Sequence, residues 1–193
     1  MVTLTRMPRP GRPTPASGRI GHRAFLSRTT SLTAWTALAC YLAAVVSLTC
    51  LKAWFTIGDL WYPENQRTRE LRLEPFGIIG DASTTFGAAF DILGNVLLFV
   101  PLGVMLTVVT GRLRPAVAVA ASLSVGIETT QYVFSLGRTD ITDVICNVAG
   151  AVMGAAVSAL VMRGPVGLRR GWTLGASAVT LGLTAGVAVM AVV

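Results

Sequence analysis

Long apolar stretches separated by short polar links dominate the chain from residue 29 onward. Uncharged runs cover residues 29–51, 92–111, 144–162 and 171–193, and a fifth run, 115–137, carries one charge, Glu128. The second run reaches outward past Asp91 to about Ala88. Each run holds 19 to 23 residues. At 1.5 Å per residue, about 20 apolar residues cross a hydrocarbon core of roughly 30 Å. Lipid leaves room only for helices or closed barrels, and these runs do not alternate as barrel strands do. The pattern therefore predicts an all-α membrane protein, a bundle of five transmembrane helices. Its divisions are a disordered basic tail (1–28), a first span (29–52), an external loop (53–87), a core of three spans (88–162) and a fifth span (163–193). The first run exceeds the length of a signal-peptide h-region and is read as an uncleaved span.

Composition agrees. The chain of 193 residues is 53 % hydrophobic and only 13 % charged, about half the charged share of a soluble domain. Its net charge of +7 would suggest nucleic acid on a soluble protein. Here the basic residues lie in the tail and between apolar runs, so no nucleic-acid partner is expected. Three cysteines without paired spacing exclude a disulfide scaffold and a cysteine zinc site. The tail carries six arginines, four prolines and no acid, with the lone His22 inside it. Cytoplasmic loops are enriched in Lys and Arg. A cytoplasmic N-terminus places eleven basic residues inside and five outside, so the C-terminus is expected outside. Trp54, Phe55, Trp61 and Tyr62 then suit an outer aromatic belt.

Ionisable residues within or beside spans are functional candidates by default. Here they are Asp91, Glu128, Asp140 and Asp143, with Arg138 nearby. In the orientation above, Asn95, Glu128 and Asn147 lie about 10–12 Å below the outer surface. The pairs Asp91/Asn95 and Asp143/Asn147 are i, i+4 and Glu128/Gln131 is i, i+3, so each pair shares a helix face. Three spans are thus expected to deliver polar groups to one outer chamber. Asn147, Gly150 and Gly154 continue one face that permits close helix approach. The segments 91–95 and 143–147 both read Asp-(Ile/Val)-x-x-Asn, a short internal repeat. Competing structural readings exist. Asp140 stands where an N-cap stands, Asp143 at N3, and Asp91 in a first turn. Arg138 can pair with Asp140 or Asp143. Gln131 and Asn147 can serve as interhelical hydrogen bonds. Pro101 is a candidate kink, and Cys146 a small apolar filler. Gly182 and Gly186 could pack a neighbouring helix or a second copy in a homo-oligomer.

Several pieces together resemble the VanZ family. They are Leu73-Glu74-Pro75-Phe76, the run from Gly94-Asn95 to Pro101-Leu102-Gly103, Glu128-Thr129-Thr130-Gln131, Arg138-Thr139-Asp140-Ile141-Thr142-Asp143 and Asn147-Val148-Ala149-Gly150. They span about residues 73–154. Glu74 departs from the family, which usually has an apolar residue there. The resemblance implies a multipass protein of the bacterial cell membrane. The family's founding members are linked to resistance to glycopeptide antibiotics, teicoplanin especially, and family comparisons suggest action on lipid or lipid-linked head groups.

The outer acids and Arg138 together leave a net charge of −3, which calls for a bound cation or protonated carboxyls. Oxygen ligands without His or Cys suit Mg²⁺, Ca²⁺ or Mn²⁺, with Glu128, Asp143 and Asp91 as the candidate metal set. In an enzyme, Glu128 would be the general acid or base, and Asp143 and Asp91 would orient a nucleophile or hold a metal. Arg138 would clamp phosphate, and Asn95, Gln131, Asn147 and Asp140 would bind substrate. A second reading is a non-catalytic binder or shield for a membrane lipid, a lipid-linked cell-wall precursor or a lipoglycopeptide. A third, a small transporter or ion pathway, is disfavoured by the scarcity of polar residues in the inner half. The G-x-S-x-G, phosphate-loop and H-E-x-x-H signatures are missing from the sequence.

Overall fold

The computed structural model describes residues 17–50, 69–81 and 85–190. Its long helices are α1 (Ser17–Cys50), α3 (Thr85–Thr110), α4 (Leu113–Phe134), α5 (Ile141–Val161) and α6 (Val166–Met190). Two strands, β1 (Arg69–Arg72) and β2 (Gly137–Asp140), and a four-residue helix, α2 (Ile78–Asp81), complete it. Among the described residues, five helices are long and apolar enough to cross a membrane. Only 17 % to 39 % of each span is buried within the protein. Leu97, Val119, Val157, Leu160 and Val179 stand exposed along the helices, the outward apolar surface that lipid requires.

The architecture departs from the sequence expectation at three places. Helix α1 starts at Ser17, so the last twelve residues of the expected disordered tail are helical, while residues 1–16 lie outside the described set. The segment expected as a plain external loop supplies a strand. β1 pairs in parallel with β2, Arg69 opposite Gly137 and Arg72 opposite Asp140. Four-residue strands with a distant partner leave no periodicity to read, so the bundle is all-helical only in its spans. Helix α3 starts three residues earlier than the expected 88. The aromatic belt at Trp54, Phe55, Trp61 and Tyr62 falls outside the described residues.

Helices α3 and α5 form the most extensive pairing in the bundle. Small residues make it. A methyl on Gly150 would run into the Val96 carbonyl, one on Gly154 into the Val100 carbonyl, and one on Gly103 into Ala151. Both helices advance four residues between the first two contacts, so they run parallel, backbone against backbone. Phe99, Leu102 and Met105 of α3 fill the core against Ala116, Ala120 and Ile127 of α4, Ala151 and Ala155 of α5, and Ala37, Leu38 and Val45 of α1.

Many hydroxyls within the spans are satisfied locally. The hydroxyls of Thr49, Thr110, Thr129, Thr130, Thr173, Ser177, Thr180 and Thr184 each donate to the carbonyl four residues back, which hides them from lipid. Pro101 lies inside an unbroken α3. Its missing N–H frees the Leu97 carbonyl, and Tyr41 Oη donates to the neighbouring Leu98 carbonyl at 2.8 Å. The turns are specific. Gly111 takes φ +68° between α3 and α4, where a side chain would be strained. Ser135 takes the left-handed conformation at the end of α4, and the Leu136 N–H closes that end on the Gln131 carbonyl at 2.9 Å.

Candidate functional site

Residues at one end of α4 and α5 are joined by a relay of side-chain and backbone groups. Asp140 ends β2 and caps α5, its Oδ1 accepting the Thr142 N–H at 2.8 Å. The Asp140 N–H donates to Glu128 Oε2 at 3.0 Å. Thr139 Oγ1 donates to the Glu128 backbone carbonyl at 3.2 Å. Thr142 Oγ1 in turn accepts the Phe76 N–H at 2.9 Å. Phe76 has φ +60°, a conformation that strains a bulky residue and is retained only where its surroundings hold it. The chain Glu128–Asp140–Thr142–Phe76 therefore fixes the turn after β1 onto the start of α5.

A pocket of about 270 Å³ lies against this relay, lined by Leu71, Leu73, Val125, Glu128, Thr129, Tyr132, Thr139, Asp140, Ile141 and Val144. Its lining is mostly apolar, and Glu128, only 6 % exposed, supplies a carboxyl in its wall. Strand β1 forms one side, so the unexpected strand completes the pocket.

The other candidate residues go elsewhere. Asn95 Nδ2 donates to Asp143 Oδ1 at 2.6 Å across the α3–α5 seam. Asn147 Nδ2 donates to Ser124 Oγ at 3.0 Å, joining α5 to α4. Gln131 Nε2 donates to the Thr49 carbonyl at 2.9 Å, joining α4 to α1. Asn95, Glu128 and Asn147 thus meet different neighbours, and the single shared chamber expected from their depth is not formed. Helix α5 is their common hub instead. Arg138 points to Glu70 across the β-pair, at 3.9 Å and half exposed, rather than to Asp140 or Asp143. Asp91 sits two turns into α3 and is exposed, so the first-turn reading fails for it. The capping reading holds for Asp140, and Asp143 does lie in the first turn of α5.

Asp91, Glu128 and Asp143 do not fit a metal site as a set: among the described residues no three His, Cys, Asp or Glu side chains come together to hold an ion. Two acceptors, Gln131 Oε1 and Asn147 Oδ1, are buried without a hydrogen-bond partner among the described residues, each a destabilising feature of about 1–3 kcal/mol. The sequence assigned no role to Ser124, Thr139 or Thr142, although the last two lie in the Arg138–Asp143 motif. Threonine and serine are frequent and uncharged, so nothing in their spacing marks them as partners.

Residues 38–162 match the family described as VanZ/LLP1. The chain belongs to this family. The curated "Protein VanZ" of Enterococcus faecium is 34 % identical over 119 residues, covering 61 % of this chain and 68 % of that protein. No solved structure matches the chain. The match takes in α3, α4, β2 and α5 whole, together with the span of α1 from Leu38 on, so the pocket and its relay lie within the VanZ/LLP1 region.

The Asn95–Asp143 bond makes a direct expectation. Hydrogen bonds to charged groups contribute about 1.5–3 kcal/mol. Asn95→Leu lowers the thermal stability of the detergent-solubilised protein, while Asp143→Asn retains most of it because an amide oxygen still accepts. Equal losses for both variants contradict the assignment.

Proposed function

We propose that this membrane protein of the VanZ/LLP1 family binds an amphiphilic molecule of the cell envelope, a lipid or lipid-linked head group, in the Glu128 pocket. Through that binding it contributes to tolerance of teicoplanin-type glycopeptides. The observation that carries the reading is a pair of buried carboxyls, Glu128 and Asp140, in the wall of a mostly apolar pocket at one end of the bundle. An amphiphile offers both chemistries that such a pocket recognises. The distribution of arginines supports an orientation with the N-terminus cytoplasmic and the C-terminus external, which opens the pocket toward the outer surface of the bacterial cell membrane.

The geometry favours binding over turnover. Glu128 Oε2 and Asp140 Oδ1 each hold a backbone N–H, and Arg138 is outside the pocket lining. The carboxylates therefore shape and orient the pocket more directly than they assemble a reacting group.

Thr129 lines the pocket and is exposed, so a bulky replacement fills the space without entering the core. Cells expressing the full chain are expected to tolerate more teicoplanin than cells without it, and Thr129→Trp to remove that margin at equal abundance. A Thr129→Trp protein that protects as well as the parent overturns the reading.

A further inference from the structure

The far end of the bundle holds a larger groove that the Glu128 site does not use. It measures about 640 Å³ and lies between the start of the α1 span, the ends of α3 and α5, and the start of α6. Thr30, Ser31, Arg169 and Arg170 line it at the level where spans begin, and Ala34, Trp35, Val108 and Val109 continue it along the spans. Trp35 is 53 % exposed, and indoles favour the membrane–water boundary.

Charge is sorted along the molecule. The acids of the described residues are Glu70, Glu74, Asp81, Asp91, Glu128, Asp140 and Asp143, all in segments at or near the Glu128 end. The links at the opposite end carry Arg112, Arg114, Arg163, Arg169 and Arg170 and no acid. Among the described residues, neither Arg169 nor Arg170 forms an ion pair with an acid. Two guanidinium groups and two hydroxyls above an apolar trough match a phosphate diester carrying acyl chains.

We propose that this groove is a binding site for an anionic glycerophospholipid of the leaflet opposite the Glu128 pocket, with the phosphate at Arg169 and Arg170 and an acyl chain along Trp35, Val108 and Val109. The site is independent of whatever occupies the Glu128 pocket.

Delipidated full-length protein, titrated with dioleoyl phosphatidylglycerol or dioleoyl phosphatidylcholine and read by native mass spectrometry, tests it. The parent chain is expected to bind the first phosphatidylglycerol about tenfold more tightly than phosphatidylcholine. The R169Q/R170Q protein is expected to lose that preference. The R112Q/R114Q protein removes the same charge from the same end, at residues outside the groove's lining, and is expected to keep it. Thermal melts of the three proteins in lipid-free detergent establish that each is folded. A parent chain without preference overturns the proposal. So does a preference surviving in R169Q/R170Q, which would place it on the basic N-terminal segment, or an equal loss in both double variants, which would reduce it to general charge.

Discussion

Gly154→Val is expected to prevent the protein from accumulating in a folded form. Gly154 lies where α5 crosses α3, and any Cβ there collides with the Val100 carbonyl. The obstacle is backbone, which cannot swing aside as a long side chain does. The two helices must separate, and separation undoes the packing of Phe99 and Leu102 against Ala151 and Ala155. Overpacking a core residue costs about 1–3 kcal/mol, occasionally more. The rigid partner puts this site at the upper end. Gly150→Val meets the Val96 carbonyl and behaves alike. Gly94 and Gly126 are mid-helix glycines with nothing within 4 Å of an added methyl. Alanine at either is expected to be neutral or to stabilise by about 0.5–1 kcal/mol. Fluorescence-detected size-exclusion of tagged variants reads the contrast. Equal yields from Gly154→Val and Gly94→Ala contradict the seam.

Glu128→Ala and Glu128→Gln are expected to separate structure from function. Alanine leaves the buried Asp140 N–H without its acceptor and costs about 1–3 kcal/mol. Glutamine keeps an oxygen for that N–H and stays folded at parental abundance. It loses the carboxyl that the pocket presents, so teicoplanin tolerance is expected to fall with it. Tolerance fully retained in Glu128→Gln would make Glu128 a structural tether alone.

The spans were legible because lipid imposes one rule over some 20 residues at a time, and the five apolar runs obey it. Turn and strand structure at the Glu128 end was not. β1 and β2 are four residues each, and their pairing depends on the tertiary path of the chain rather than on local pattern. Among the candidates, Glu128 was marked by being a lone acid far from both ends of a span, and the structure gives it a polar partner in a pocket wall. Asn95 and Asp143 were marked by spacing and do meet, though across a seam instead of in a cavity. The rotation of each span about its own axis was not legible, because residue counts fix position along a helix and not the direction a side chain faces, so Asn95, Glu128 and Asn147 meet Asp143, Asp140 and Ser124 instead of one another. The glycines carried more information than the acids, since Gly150 and Gly154 do set the closest helix contact.

An envelope amphiphile held in the Glu128 pocket can be captured there by cross-linking. The most direct measurement places a photo-cross-linking amino acid at Tyr132, which lines the pocket, or at Val119, which is exposed elsewhere on α4, and identifies the adducts formed in living cells by mass spectrometry. A lipid-linked species captured at Tyr132 and absent at Val119 is the expected result. The same bulk phospholipids at both positions would contradict it.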